Sequence, residues 1–276
     1  MSHALELIPP RPAPPEAYRQ VTPARLFGFA LLALWFLLGL ALLGMMVFNW
    51  DTEKFVKYGP RYISGLGVTL TLVTTSIIFG ALLSLPITFA RMSKNRVLNT
   101  LSYVYVYVFR STPLLAQLFL IYYGLGMFRP QLEQVGLWWF FKDAWYCGLL
   151  SFALNTAAYQ AEILRGAIQS VPRGQHEGAD ALGLLKKVAF FKVILPQALI
   201  VALRPYGNEI ILMIKGSAVV AIVTVFDLMG ETRYAFSRTF DYQAYLWAAI
   251  FYLAIVEALR HVWAWLEARL TRHLKR

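Results

Sequence analysis

The chain alternates between long uncharged stretches and short charged ones. The first uncharged stretch runs from Leu26 to Trp50, between Arg25 and Asp51, and is rich in leucine. The second runs from Tyr62 to Ala90, between Arg61 and Arg91. The third covers Val97 to Phe128 and is interrupted only by Arg110. The fourth covers Ala144 to Ala161. The fifth begins at Pro196 and meets Arg204, Pro205, Glu209 and Lys215 before a clean run from Gly216 to Phe226. The last starts at Tyr242 and continues past Glu257. A bilayer core takes about 20 apolar residues per helix. The pattern therefore predicts an all-α integral membrane protein with about six transmembrane helices. The fifth is expected to be irregular, with Pro196, Pro205, Gly207 and Gly216 permitting unwinding. Tyr103, Tyr105 and Tyr107 alternate as in a strand, but a lone strand cannot satisfy its backbone in lipid, so helix is expected there too.

Composition agrees. Hydrophobic residues make up 58% of the chain and charged residues 15%, against about 25% charged in an ordinary globular domain. That excludes a soluble enzyme and a disordered tail. Cys147 is the only cysteine and the four histidines are scattered, so no disulfide framework and no metal site are expected. A net charge of +11 would suggest nucleic acid in a soluble protein. Here the position of the charge matters more, and no nucleic-acid partner is expected. Lys and Arg concentrate on one side of the six crossings: Arg11, Arg19 and Arg25, then Arg91, Lys94 and Arg96, five from Arg165 to Lys192 and five from Arg260 to Arg276. The other side carries 7 against these 16, which predicts both termini in the cytoplasm.

Residues 1–24 are a Pro-rich cytoplasmic segment. The helix at 25–50 is too long for the apolar region of a cleaved signal and no A-x-A site follows it, so it is read as retained. Residues 266–276 form a basic tail suited to anionic lipid. No phosphate loop, G-x-S-x-G or H-E-x-x-H motif occurs, so no catalytic residue is expected on this chain.

The inner segment from Arg165 to Pro196 is too long for a turn and too apolar for a linker. Val171-Pro172-Arg173-Gly174 signals a new element. A helix is expected after it, with Glu177 and Asp180 early, Lys186 and Lys187 late, and Ala179, Leu182 and Leu185 or Lys186 on one apolar face. Gly178 and Gly183 cost helix propensity, about 1 kcal/mol each relative to Ala, which suggests close packing against another protein. Such a helix docks a partner or lies in the lipid headgroups.

Glu177-Gly178-Ala179, then Gly183, then Val193-Ile194-Leu195-Pro196 after nine residues resembles the EAA loop of ABC-importer permeases. It departs by Gly178 for Ala and Val193 for Ile. Phe109-Arg110-Ser111-Thr112-Pro113-Leu114-Leu115-Ala116-Gln117 resembles the F-R-G-T-P-L-L-V-Q segment of polar amino-acid permeases. Asn208-Glu209, Lys215 and Ser217 are similar to a later stretch of that family. The likeness runs from about Tyr62 to the end, nearest to the permeases for histidine, lysine/arginine/ornithine or opines. The helix at 25–50 lies outside it.

The resemblance implies a type I ABC importer transmembrane fold, with residues 62–265 as its core and 166–196 as the coupling loop. It implies a cytoplasmic ABC ATPase dimer, a second permease subunit that is a sister rather than another copy, and an extracytoplasmic solute-binding protein, with the permease in the lipid of a bacterial inner membrane. ATP and Mg would be bound by the ATPase, with no cofactor on this chain. Glu177, Gly178, Ala179, Asp180, Gly183 and Pro196 would couple to the ATPase. A secondary carrier or channel working without nucleotide is the rival reading, and it leaves the inner loop unexplained.

Polar residues inside spans mark candidate solute contacts. Asn155, Tyr159 and Glu162 share a helix face at i, i+4, i+7. Arg110, Gln117, Asn208, Glu209 and Lys215 complete the set. Glu209 could meet a substrate ammonium and Lys215 a carboxylate, or the two could neutralise each other, pair with Arg204 or sit at the interface. Arg110 could line a path or serve as a structural charge near Pro113. Glu162 with Arg165 at i, i+3 is expected as a surface pair near the inner boundary.

Overall fold

A computed structural model describes residues 22–272. They fall into two units, divided after Asp51.

The described part of the first unit is one helix, α1 (Pro23–Phe48). Thr22 caps it by accepting from the Arg25 amide, and Pro23 sits where no amide partner is needed. It is apolar all the way round, and none of its residues is buried.

The second unit begins with α2 (Thr52–Arg91). Its 40 residues make about 60 Å of helix, twice the roughly 30 Å of a hydrocarbon core. The basic stretch before Tyr62 is thus a helical extension of the span. Lys54 binds Asp241 at 2.8 Å, Arg61 binds Glu231 at 3.3 Å and Tyr62 donates to the Ala244 carbonyl at 3.0 Å. Then come α3 (Arg96–Ser111), capped by Asn95, and α4 (Leu114–Phe119), which runs on through a π turn at Leu120–Gly124. Two short helices follow, α5 (Arg129–Gln134) and α6 (Trp138–Phe141). The chain continues with α7 (Ala144–Gln169), α8 (Arg173–Ala181) and α9 (Lys186–Ala189). A π turn at Phe190–Ile194 leads into α10 (Leu195–Gly216), which ends in a 3-10 stretch at Ser217–Val223. Last are α11 (Leu228–Thr239) and α12 (Gln243–Leu270).

The helix at the centre is α7. Small residues on it, among them Gly148, Ala153, Ala157 and Ala161, let its neighbours come close. A Cβ on Gly80 of α2 would run into the Thr156 methyl, and one on Gly148 would lie 2.8 Å from Val220. Its Phe152 packs in one cluster with Leu72, Leu118, Met213 and Val220 of the surrounding elements.

Among the described residues four helices are long and apolar enough to cross a membrane: α1, α2, α9–α10 with its 3-10 end, and α12. The bent pair α3–α4 is a fifth. The remaining expected crossing, α7, is 26 residues long but too polar to qualify, because it faces protein rather than lipid. Two expectations about irregularity are corrected. The third stretch is not one straight span; it bends by 107° at Thr112-Pro113. The fifth stretch is not unwound at Pro205, since α10 is continuous through it. Gly207 is not a loosening point either. A Cβ there would strike the Trp263 ring, whose indole donates to the Leu203 carbonyl at 2.6 Å.

Candidate functional site

Two groups of residues carry the sequence-derived candidates: the α7–α10 loop and the polar residues along α7.

The loop is shorter in helix than its pattern suggested. Pro172 starts α8, and the helix ends at Ala181. The Leu184 amide donates to the Ala179 carbonyl at 3.1 Å and the Gly183 amide to Asp180 at 2.9 Å. This pair of bonds with Gly183 at φ +66° is the Schellman ending, which wants a residue without Cβ. Gly183 therefore terminates the helix rather than sitting within it. Lys186 and Lys187 open α9 instead of closing α8. Asp180 lies in the last turn, where the helix dipole opposes its charge. The expected single apolar face is divided. Ala179 is buried, while Leu182 and Leu185 are 79% and 75% exposed. Glu177, Gly178 and Asp180 are exposed as well. Among the described residues nothing comes within 4 Å of the space a Gly178 Cβ would take.

The footing of the loop is apolar and closed. Leu164, Ala167, Ile168 and Val171 from the end of α7 pack on Ile194, Ala198 and Ala202. Pro196 sits in the first turn of α10, and Gln197 donates to the Gln175 side chain at 3.1 Å, tying α8 to α10. A push on α8 thus reaches both long helices.

Along α7, Asn155 and Gln117 meet. Pro113 has no amide to give the Phe109 carbonyl. Gln117 Nε2 donates to that carbonyl at 2.9 Å and Asn155 Nδ2 at 3.1 Å. Asn155 also donates to Gln117 Oε1 at 3.0 Å, and Gln117 to Thr112 Oγ1 at 2.8 Å. These two amides hold the bend open. Tyr159 donates to the Arg110 carbonyl at 3.3 Å, and the Arg110 guanidinium lies 5.2 Å from the Tyr159 ring centre. Arg110 itself is exposed. One residue on from Asn155, and so about 100° round α7, stands a second polar group. Glu209, 6% exposed, accepts from Thr156 Oγ1 at 3.0 Å. Gln160 donates to Thr156 Oγ1 at 3.1 Å and to the Ile77 carbonyl at 3.2 Å.

Glu209 does not meet Lys215 or Arg204. Arg204 pairs with Glu267 of α12, while Asn208 and Lys215 are exposed. A helix turns about 100° per residue, so Asn208 and Glu209 cannot both face inward, and Lys215 is rotated well away. Glu162 is more than a surface pair. Its carboxylate binds Arg165 at 2.6 Å and Arg91 of α2 at 3.0 Å, with Glu162 and Arg91 side chains each 13% exposed. Thr156 and Gln160 were missed by the sequence reading. Their signal was present, as polar residues at i, i+4 in an uncharged run, on the face next to the one chosen.

At the other end of α7, an open cleft of about 580 Å³ is lined by Lys142, Asp143, Trp145, Tyr122 and Thr224 among others. Arg110 and Glu209 are not part of it.

The model of the family of binding-protein-dependent transport system inner membrane components matches residues 76–275. The chain belongs to that family. The permease is 39% identical over 226 residues to the nopaline transport system permease protein NocM of Agrobacterium fabrum, covering 82% of this chain and 94% of that one. It is 36% identical over 187 residues to the arginine ABC transporter permease protein ArtM of Haemophilus influenzae, covering 68% and 82%. A crystal structure of an amino acid ABC transporter with histidines superposes with TM-score 0.71 at 36% identity, over 80% of this chain and 99% of that one. A methionine ABC transporter in inward-facing conformations shares the fold, with TM-score 0.63 at 19% identity. The permease is accordingly an all-helical, multi-pass membrane subunit of an amino-acid ABC importer, with the type I permease fold.

Proposed function

We propose that the permease imports a polar or basic amino acid, such as histidine, arginine, lysine, ornithine or an opine, under the drive of a separate ATPase that seats on α8. The nopaline and arginine relatives support this substrate class. The observation that carries the drive is the shape of the inner loop. Leu182 and Leu185 stand exposed at the end of a short capped helix, beside Glu177 and Asp180, on a closed apolar footing shared by α7 and α10. Exposed leucines next to carboxylates fit a protein groove better than water. ATP and Mg are held by the ATPase, and hydrolysis occurs there.

The loop then faces the cytoplasm, both termini lie on the same side, and the 16-to-7 distribution of Lys and Arg supports that orientation. A sister permease, rather than a second copy, completes the pathway, and a solute-binding protein delivers the amino acid from outside. To turn a 1:99 mixture of states into 99:1, nucleotide must favour one by about 5.5 kcal/mol. Arg110 and Glu209 are charged groups that touch polar residues of α7, Tyr159 and Thr156 respectively. Glu209 suits an ammonium group and Arg110 a carboxylate, while Gln117, Asn155 and Tyr159 set the shape around them. Asn208 and Lys215, being exposed, suit the sister subunit.

The test is uptake and ATP hydrolysis by the reconstituted complex over a panel of basic and polar amino acids. One or more should stimulate hydrolysis. Glu177→Lys and Leu182→Glu should each abolish coupled uptake while the permease still folds. Full uptake by Glu177→Lys would show that α8 is not the docking element.

A further inference from the structure

The helix that the fold does not require has a job of its own. The amino acid transporter structure is matched over 99% of its length by 80% of this chain. A stretch about as long as residues 1–51 therefore has no counterpart in a working permease. Yet α1 spans 26 residues with no charge after Arg25, enough to cross a bilayer.

We infer that α1 is a topogenic element: it sets the direction in which the permease enters the membrane. The inference rests on the cytoplasmic placement of α8 proposed above. The evidence is a tie at the ends of α2. Its first ten residues hold Lys54, Lys57 and Arg61, and the opposite flank holds Arg91, Lys94 and Arg96, three against three. Orientation is decided by Lys and Arg near the ends of spans, with acidic residues counting little and the first helix usually dominant. A chain that began with α2 would have no preference at its first helix. The core places those first three basic residues on the outer side, the side the rule disfavours.

The chain up to the first turn of α1 carries Arg11, Arg19 and Arg25. Only residues 49–51 lie between the two spans in the chain, too few for another crossing, so two successive crossings return the chain to the side it started from and the flank ahead of the first shares a side with the flank after the second. Counted as a pair, they have six basic residues on the inner side and three on the outer. The added span thus converts a tie into a two-to-one bias, and it does so before any later span is made.

The experiment reads the side on which α8 lies. A single thiol is placed by His176→Cys, on an exposed position, with Cys147→Ser removing the buried native one. A membrane-impermeant maleimide is applied to intact spheroplasts expressing the permease without its ATPase. The full chain should be protected. If it is labelled, the orientation assigned above is wrong, independently of the role of α1. Deleting residues 2–49 should raise labelling towards about half of the molecules, the share a tie gives, with the downstream bias pulling it lower. In that truncated chain, Met92→Lys, Val97→Lys and Lys57→Gln together move the count to five against two and should restore protection. Met92 and Val97 are exposed, and Lys57 has a Tyr58 ring contact but no ion pair among those found. Labelling of the truncated chain no higher than of the full chain overturns the inference. So does a rise that the three substitutions fail to reverse, since α1 would then act by something other than charge.

Discussion

Asn155 and Gln117 offer the sharpest separation between holding the fold and touching the solute. Replacing Asn155 with Ala removes two donor bonds, to the Phe109 carbonyl and to Gln117 Oε1. The carbonyl keeps one partner, Gln117, and Gln117 Oε1 loses Asn155 as a donor. Side-chain hydrogen bonds inside membrane proteins average about 0.6 kcal/mol with a maximum near 1.7, and a buried polar atom left unpaired costs about 1–3 kcal/mol. Asn155→Ala should therefore destabilise by about 1–3 kcal/mol. At roughly 2–4 °C per kcal/mol for a domain of this size, the apparent Tm in detergent falls by about 2–12 °C. Asn155→Asp keeps the shape but has no amide hydrogens, so it should be at least as harmful. Gln117→Ala should act alike, and the double variant should lose less than the sum, with a coupling of about 0.5–2 kcal/mol. Melting of purified permease by fluorescence-detected size exclusion measures this. An unchanged Tm for Asn155→Ala together with a raised KM for uptake would refute the clamp and make Asn155 a solute contact.

Other changes probe the remaining elements. Gly183→Ala should cost about 1–2 kcal/mol, because its φ of +66° is strained for an L-residue, whereas Gly178→Ala should leave the Tm unchanged, since its Cβ meets nothing in the chain; paired melting curves decide both. Gly207→Val should lower the Tm by several degrees by forcing Trp263 off its seat, and Trp263→Ala should relieve that penalty in the double variant. The Lys54 ammonium holds the Asp241 carboxyl below the usual aspartate range. Its depressed value means the pair stabilises above about pH 4, the ordinary aspartate value, and the contribution is lost as pH falls further. Partial exposure keeps it below about 1 kcal/mol. Asp241→Asn should therefore flatten the acid limb of stability against pH by that small amount, and an unchanged limb would show that the pair contributes nothing.

The polar groups on and around α7 divide by what they answer. Asn155 and Gln117 answer the carbonyl that Pro113 leaves open. Glu162 answers two arginines and ties α2 to α7 near the loop footing. Glu209 is met by one hydroxyl, which leaves its carboxylate the most open to a further partner. That ordering makes Glu209→Gln the variant most informative about solute recognition.

What the sequence settled alone follows from the solvent. In lipid every backbone group must be bonded within its own helix, so uncharged runs of span length marked the helices. The spacing from Glu177 to Pro196 marked the loop, because a short helix and its turn need fixed offsets. What only the tertiary structure decided was direction. Pro113 and Pro205 look alike in the chain, yet one bends its span by 107° and the other lies in a continuous helix. At Pro113 the freed carbonyl meets the amides of Gln117 and of Asn155, 46 residues beyond Phe109. At Pro205 the turn is braced by Trp263, 60 residues beyond the carbonyl it binds. Likewise Asn208 and Glu209 are neighbours, and helix rotation alone buries the second and exposes the first. Such choices depend on which distant side chain arrives at a backbone atom, and no local pattern carries that information.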